Sequence, residues 1–564
     1  MWNPDVTSRP PKSPALSLSQ RLGVSLGIWL LSAAAAYAQP PSASIHNNAA
    51  TYRISGKVVD AHSGAALARC SVQIADVKFR SQSQTTLTAS DGSFAFNGLP
   101  LGKYSLTAQR RGYLEQSYEE HEQFSTAIAV GPGLVSEGLL FKIVPEGVIA
   151  GTITDEAGEP IRGAQVRLFE DQDANGVRTT QMHHSVVTDD RGVYEFSELR
   201  PGAYYVVATA RPWYSQRLQR FNSEEGAQNQ ALDLAYPTTF YPGVTDQDSA
   251  APIPVKGGER IQADLTMAAQ PALRLHLAAS PGPSGQDDAR NQGVSLSLSQ
   301  SIFGQTEVLP TQVTMRPDGS SDIEGVLPGH YEVTMNRFGP GERGANAKHF
   351  EADVSGGTTE LSEDQGAAEI TVTGKVLSLT GKLPPRAGVL LRVARGRSQE
   401  YAALNEAGEF TAHLQPGTWE VVGNIEDMYI AGIKAQGATI AGRMLTVKPD
   451  DAPKLEIVAA RGHAEIEGTA LRGDKPASAV MVLLAPEDPK NNEILFRRDQ
   501  SDSDGTFDLP NVVPGKYRLL AIERGWDLEW ANPAVLQAFL AKSVPIEVKS
   551  GDHPKDAVVQ VQER

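Results

Sequence analysis

One cysteine, Cys70, in 564 residues leaves this chain without an intrachain disulfide, so its cores must hold by apolar packing alone. Cys70 sits in a segment that reads as a strand and is expected to be a small buried apolar residue. Positive charge is also in short supply, with 51 Lys and Arg against 67 Asp and Glu and a formal net charge of −16. A surface of that sign excludes nucleic acid as a natural partner. Beyond residue 38 no stretch is apolar for long enough to span a bilayer, so no membrane span is expected once the leader is removed.

Catalytic signatures are missing as well. No HxxE or HExxH occurs, and a zinc peptidase needs such spacing to set two ligands and a base around one ion. A GxSxG stands at Gly23-Val24-Ser25-Leu26-Gly27, inside the leader. A GxGxxG runs from Gly339 to Gly344, but no helical pattern follows to aim an N-terminus at a pyrophosphate. His183-His184 would point to opposite faces of a strand, which does not suit one shared ion. The chain is therefore expected not to be an enzyme, an enzyme with an unrecognised site being the remotest alternative.

Gly (52) and Pro (36) are plentiful, and hydrophobic residues make up 40% of the chain, as suits many short strands and tight turns. Residues 1–38 differ from the rest. Arg9, Lys12 and Arg21 precede an apolar run from Leu22 to Ala36, and Ala36-Tyr37-Ala38 is a small-x-small site. That is the pattern of a secretory signal peptide. It predicts export to the periplasm, outer surface or medium, with 39–50 as a linker.

The remainder repeats itself. "DGSFAFNGLPLGKYSLTA" from Asp91 returns as "DRGVYEFSELRPGAYYVVATA" from Asp190 and "DGSSDIEGVLPGHYEVTM" from Asp318. It returns again as "EAGEFTAHLQPGTWEVVG" from Glu406 and "DGTFDLPNVVPGKYRLLA" from Asp504. The turn glycine and the second glycine are ten, ten, ten, nine and ten residues apart, and an aromatic follows two residues later: Tyr104, Tyr204, Tyr331, Trp419 and Tyr517. Each copy reads as turn, alternating strand, second turn, alternating strand. The aromatic fits a tyrosine corner, whose hydroxyl returns to upstream backbone. Trp419 lacks that hydroxyl and needs another partner or none. A second signature, "ISGKVVD", "IAGTITD", "VTGKVLS" and "IEGTALR", opens every module but the third.

These motifs resemble the carboxypeptidase regulatory-like domain family, a transthyretin-like β-sandwich of secreted bacterial proteins. The resemblance implies a fold and no activity. It is strongest in the first two copies, then the fifth. An all-β tandem array of about five sandwich modules with small helical insertions is thus expected, at 51–143, 144–268, 269–368, 369–460 and 461–564. Links such as "IVPEGVIAG" are short, so neighbours should touch, and an elongated semi-rigid rod follows. Insertions are expected at 211–251, with helix near Glu224, and at 525–542, where Asn532 caps a helix over 533–541 begun by Pro533.

Two candidate sites remain. Asp171, Asp173 and Asn175, with Gly176, reproduce the first half of a calcium loop whose twelfth position is Met182 rather than Glu, so weak calcium binding is the most this loop would support. Trp213, Tyr241, Trp526 and Trp530 in the insertions are candidate ligand surfaces. The function expected is a non-catalytic exported spacer, adhesion or ligand-presenting surface at the cell envelope, with an envelope protein or polysaccharide as partner. A carbohydrate-binding module array is the alternative.

Overall fold

The structure is a computed structural model and describes residues 51–564 apart from 80, 82, 175, 216–233, 279–292, 317, 339–346, 363–364 and 394–397. The expected signal peptide, linker and GxSxG lie outside the described residues, as do the GxGxxG, Asn175 and the helix near Glu224. Residues 50–564 cluster as one unit.

Strands dominate, and they fall into five successive sandwiches. Module 1 runs from the strand Tyr52–Asp60 to Leu139–Ile143, and module 2 from Gly147–Asp155 to Leu265–Met267. Module 3 begins with Leu273–Leu277, module 4 spans Ile370–Ser378 to Lys454–Arg461, and module 5 spans Ala464–Arg472 to Ala557–Gln562. In each, the opening strand pairs antiparallel with the strand after the turn glycine and parallel with a strand at the module's end. In module 5 the last strand also pairs with Gly515–Ile522, joining both layers into one eight-stranded sheet.

Alternation in the sequence becomes alternation in burial. "SFAFNGL" in module 1 buries Phe94, Phe96 and Leu99, and "KYSLTA" buries Tyr104, Leu106 and Ala108. Each module closes its own apolar core between its two layers. A fully buried Ile or Phe contributes about 1.5–3 kcal/mol, so cores of 13 to 20 buried residues stand without covalent staples. Cys70 is buried and unpaired, inside the first core.

The repeated residues have repeated jobs. Gly92 turns the chain at φ +77°, a region open to glycine at little cost. The opening glycine serves close approach: a Cβ on Gly56 would stand 2.3 Å from the Leu139 carbonyl oxygen of the parallel strand. Four of the five corner rings make the same bond. Tyr104, Tyr204 and Tyr517 donate their hydroxyls to the carbonyls of Pro100, Arg200 and Val513, four residues upstream, at 3.0, 2.9 and 2.6 Å. Tyr331 bonds the backbone of Leu327. Trp419, expected to need another partner or none, sends its indole N–H to the Gln415 carbonyl at 2.9 Å, at the same four-residue offset.

A rod is not what forms. Module 5 packs against modules 1, 2 and 4, so the first and last modules meet. Ala127 N donates to Asp502 Oδ1 at 2.9 Å, Ser503 N donates to Ala127 O at 3.0 Å, and Ala129 N donates to Ser503 Oγ at 2.8 Å. Short linkers restrict neighbours, as expected, but restriction in this chain curves the array until its ends touch. Between modules 2 and 3, the "YPTTFYPG" segment supplies Phe240, which packs with Phe169 and Ile302, and the Phe303 ring contacts all of Phe169, Tyr205 and Phe240.

Candidate functional site

The second insertion begins with a 3-10 turn, Gly525–Asp527, and ends in the α-helix Pro533–Leu540, capped by Asn532 Oδ1 accepting from Ala534 N at 3.1 Å. Leu536 and Phe539 anchor the helix on the outer face of module 5. This positions Trp526 and Trp530 beside residues of two other modules. His121 of module 1 stacks on Trp526 with centroids 5.6 Å apart and planes 9° from parallel, and Phe124 lies 5.1 Å away. The guanidinium of Arg498 sits 4.5 Å above the Trp530 ring and pairs with Glu122 of module 1 through two bonds of 2.9 Å. Both Nη groups thus serve two carboxylate oxygens at once while the cation rests on an aromatic face.

Trp526 and Trp530 are therefore not ligand surfaces: they are 6% and 5% exposed. Rings attached to an insertion found apolar partners on neighbouring modules, and burial there outweighs exposure to solvent. Tyr241 is half-buried against the core of module 2. Trp213 alone of the four is exposed, at 60%, with its ring edge-on to Tyr214.

The expected calcium loop is a hairpin instead, Gln165–Ala174 with Val177–Val187. Asp171 is paired with Arg178 at 3.2 Å. The Asp173 carboxyl is held above the usual carboxylate range by burial, with Glu529, Asp171 and Asp527 adding like charge against the pull of Arg178. Among the described residues no group of three His, Cys, Asp or Glu converges to hold an ion. The tip goes to module 5: Gly176 lies flat on Trp530 and its carbonyl accepts from Ala531 N at 3.0 Å. His183 and His184 lie on the second strand of this hairpin, their ring centroids 6.1 Å apart, and His183 pairs with Glu170.

Where these contacts meet, a cavity of about 490 Å³ opens, and every module contributes to its wall: Phe124, Thr179, Gln305, Arg392 and Arg497 come from modules 1 to 5 in turn. Arg392 grips Glu420 through Nε at 2.9 Å and Nη2 at 2.7 Å, and Glu420 also accepts from Ile494 N at 3.1 Å. Sequence reasoning missed this place entirely. Its residues are spread from 123 to 531, and no local pattern marks them.

Five serial β-sandwiches define a modular β-sandwich protein. The carboxypeptidase regulatory-like domain model matches residues 53–133 and 148–236, within modules 1 and 2, so these two stretches are similar to that family. Among solved structures the chain is similar to the Bacillus anthracis TIE protein, at 11% identity over 91% of this chain and 74% of that one, with a TM-score of 0.16. It is also similar to GBS52, the minor pilin of Streptococcus agalactiae, at 14% identity over 42% of this chain and 100% of that one, TM-score 0.20. The major pilin subunit BcpA of Bacillus cereus matches at 9% identity over 74% and 99%, TM-score 0.14. Scores this low add nothing to the account of this chain. No curated protein matches it.

Proposed function

We propose that this chain is an exported, non-catalytic β-sandwich scaffold with a structural or adhesive role at the cell envelope, acting as a closed array rather than as an extended spacer. The observation that carries the reading is the docking of module 1 on module 5. The aromatic and charged residues that a catalytic or sugar-binding surface would present are spent there, on Trp526, Trp530, Arg498 and their partners. Gln500, 1% exposed, donates to Glu119 O at 2.6 Å and Thr126 Oγ1 at 2.9 Å, so this buried amide is satisfied from across the contact. Export is supported by the leader pattern of residues 1–38. No helix among the described residues is long and apolar enough to cross a membrane.

A carbohydrate-binding array loses most of its support once Trp526 and Trp530 are buried. The test is expression of the full chain in a Gram-negative host, followed by fractionation, N-terminal sequencing and cross-linked pull-down from the envelope. Recovery outside the cytoplasm with Gln39 as first residue, joined to an envelope partner and devoid of hydrolase activity, is expected. Cytoplasmic retention, or turnover of a peptide or glycan substrate, would overturn the proposal.

A further inference from the structure

Three loops meet at the end of module 1 where its first strand begins. Tyr52 pairs with Leu99 there, Gly102 pairs with Val130, and Val77 N donates to the Lys103 carbonyl at 3.0 Å. Polar groups fix the loops from within. Asp76 Oδ1 accepts from Lys78 N and Phe79 N at 2.7 and 2.8 Å, and Ser136 Oγ donates to the Arg53 carbonyl at 2.7 Å. What these loops hold outward is apolar: Phe79, Leu101 and Val135 are 62%, 67% and 80% exposed, with Val77 and Leu134 also exposed. A Cβ on Gly131 would stand 3.0 Å from Leu101 Cδ1 and 3.4 Å from Leu134 Cδ1, so these two side chains are neighbours. The turn does not call for Leu101. Directly before the second glycine stand Pro201, Pro328, Pro416 and Pro514 in modules 2 to 5, and only module 1 has leucine there. Proline fixes φ for that turn, whereas a leucine two-thirds in water serves neither the turn nor the core.

Area and charge say what these tips fit. The five side chains expose about 600 Å², at the upper end of an apolar patch on a monomer and short of the roughly 800 Å² that each partner of a stable protein contact buries. Residues 51–143 hold nine Lys and Arg against eight Asp and Glu, whereas residues 144–564 hold 39 against 58. Among the described residues of the three loops and the strand start, Arg53 and Lys78 offset Asp76 and Glu137. We infer that these tips seat module 1 on a lipid bilayer, with Phe79, Leu101 and Val135 entering the boundary between headgroups and acyl chains. Separate loop tips suit a surface that yields around each of them, and a neutral end is the part of an acidic chain that headgroup phosphates repel least. The chain before Tyr52 also leaves from this end. The twelve residues 39–50 reach at most about 43 Å, so a leader inserted in the export membrane keeps these tips close to lipid. The inference rests on the reading of an exported chain and adds the surface that such a chain would hold.

The test is flotation of the full chain, as recovered after export, with phosphatidylcholine vesicles and with mixed phosphatidylcholine and phosphatidylglycerol vesicles. Binding to phosphatidylcholine is expected, unchanged in high salt because ion pairing does not drive it, and weaker once phosphatidylglycerol is added. The double variant Phe79→Ser, Leu101→Ser should lower the affinity at least tenfold at an unchanged melting temperature. Val187→Ser, which removes a comparably exposed apolar side chain from module 2, should leave flotation as it was. An exported chain that does not float, or that floats equally well as the double variant, overturns the inference and leaves the proposed function standing. Retention in the cytoplasm overturns both. A chain that ignores vesicles but forms a dimer lost in the double variant overturns the lipid partner in favour of a second copy.

Discussion

At the residue scale the most informative position is Trp419. Three tyrosines and this tryptophan make the same bond to the carbonyl four residues upstream, so what the corner requires is a buried ring carrying a donor at its far end. Trp419→Phe keeps a ring and deletes the donor, leaving the Gln415 carbonyl without its indole partner. A loss of about 1–2 kcal/mol in local stability is expected, read as faster amide exchange across Gly417–Asn424. Unchanged exchange would show that the ring alone makes the corner. The corner was legible in the sequence from its spacing; the indole's use of it was not, because periodicity records where a ring falls and not which atom bonds.

His349 is the second residue of note. It lies where module 3 meets module 4, its Nδ1 3.2 Å from Glu332 Oε1 and its Nε2 3.7 Å from Glu369 Oε1. Burial works against its charge, but the bonds and charges of Glu332 and Glu369 outweigh burial and raise its pKa to about 9. A histidine with a raised folded pKa contributes stability that is complete below its unfolded value, near 6.5, and is lost as pH climbs through about 9. Melting of the modules 3 and 4 contact should therefore fall between pH 6.5 and pH 9.5, and His349→Gln should flatten that dependence. An unaltered slope in the variant would place the effect on another group.

At the element scale, strands and turns followed from alternation and from the glycine and proline punctuation, and the helix at Pro533–Leu540 followed from Asn532 and Pro533. The hairpin Gln165–Val187 did not. Its Asp-x-Asp-x-Asn-Gly tip has the residues of a cation loop, yet its surroundings are decided by Trp530 and Ala531, more than 350 residues away. Local chemistry cannot report a partner that distant. Gly176→Ala tests the docking: the glycine has φ +73°, and a Cβ would stand 2.3 Å from the Trp530 ring. The substituted hairpin should lift from module 5, with red-shifted tryptophan emission and faster exchange over Val177–Val187, while the module 2 core stays protected. Wild-type emission and exchange would contradict the docking.

At the scale of the whole molecule, the number and kind of modules were readable because each repeat carries its own turn glycine and corner ring. Their arrangement was not. Contacts such as Arg498 with Glu122, or Gln500 with Thr126, join residues some 375 apart, and each side looks like an ordinary solvated polar residue in its own strand or loop. The same holds for the central cavity, which exists only as a product of closure. Insertions that looked like candidate binding surfaces proved to be the fastening between modules, which is why the expected rod gives way to a closed array.

Closure is tested most directly by zero-length cross-linking. Lys103 Nζ lies 2.5 Å from Asp502 Oδ2, joining module 1 to module 5, whereas Lys57 and Asp91, 3.2 Å apart, form a pair inside module 1. Carbodiimide treatment of dilute monomer should yield both amide links by mass spectrometry, and Trp530→Ala should diminish the first while sparing the second. Recovery of the Lys57 link without the Lys103 link in the unmodified chain would contradict the closed array.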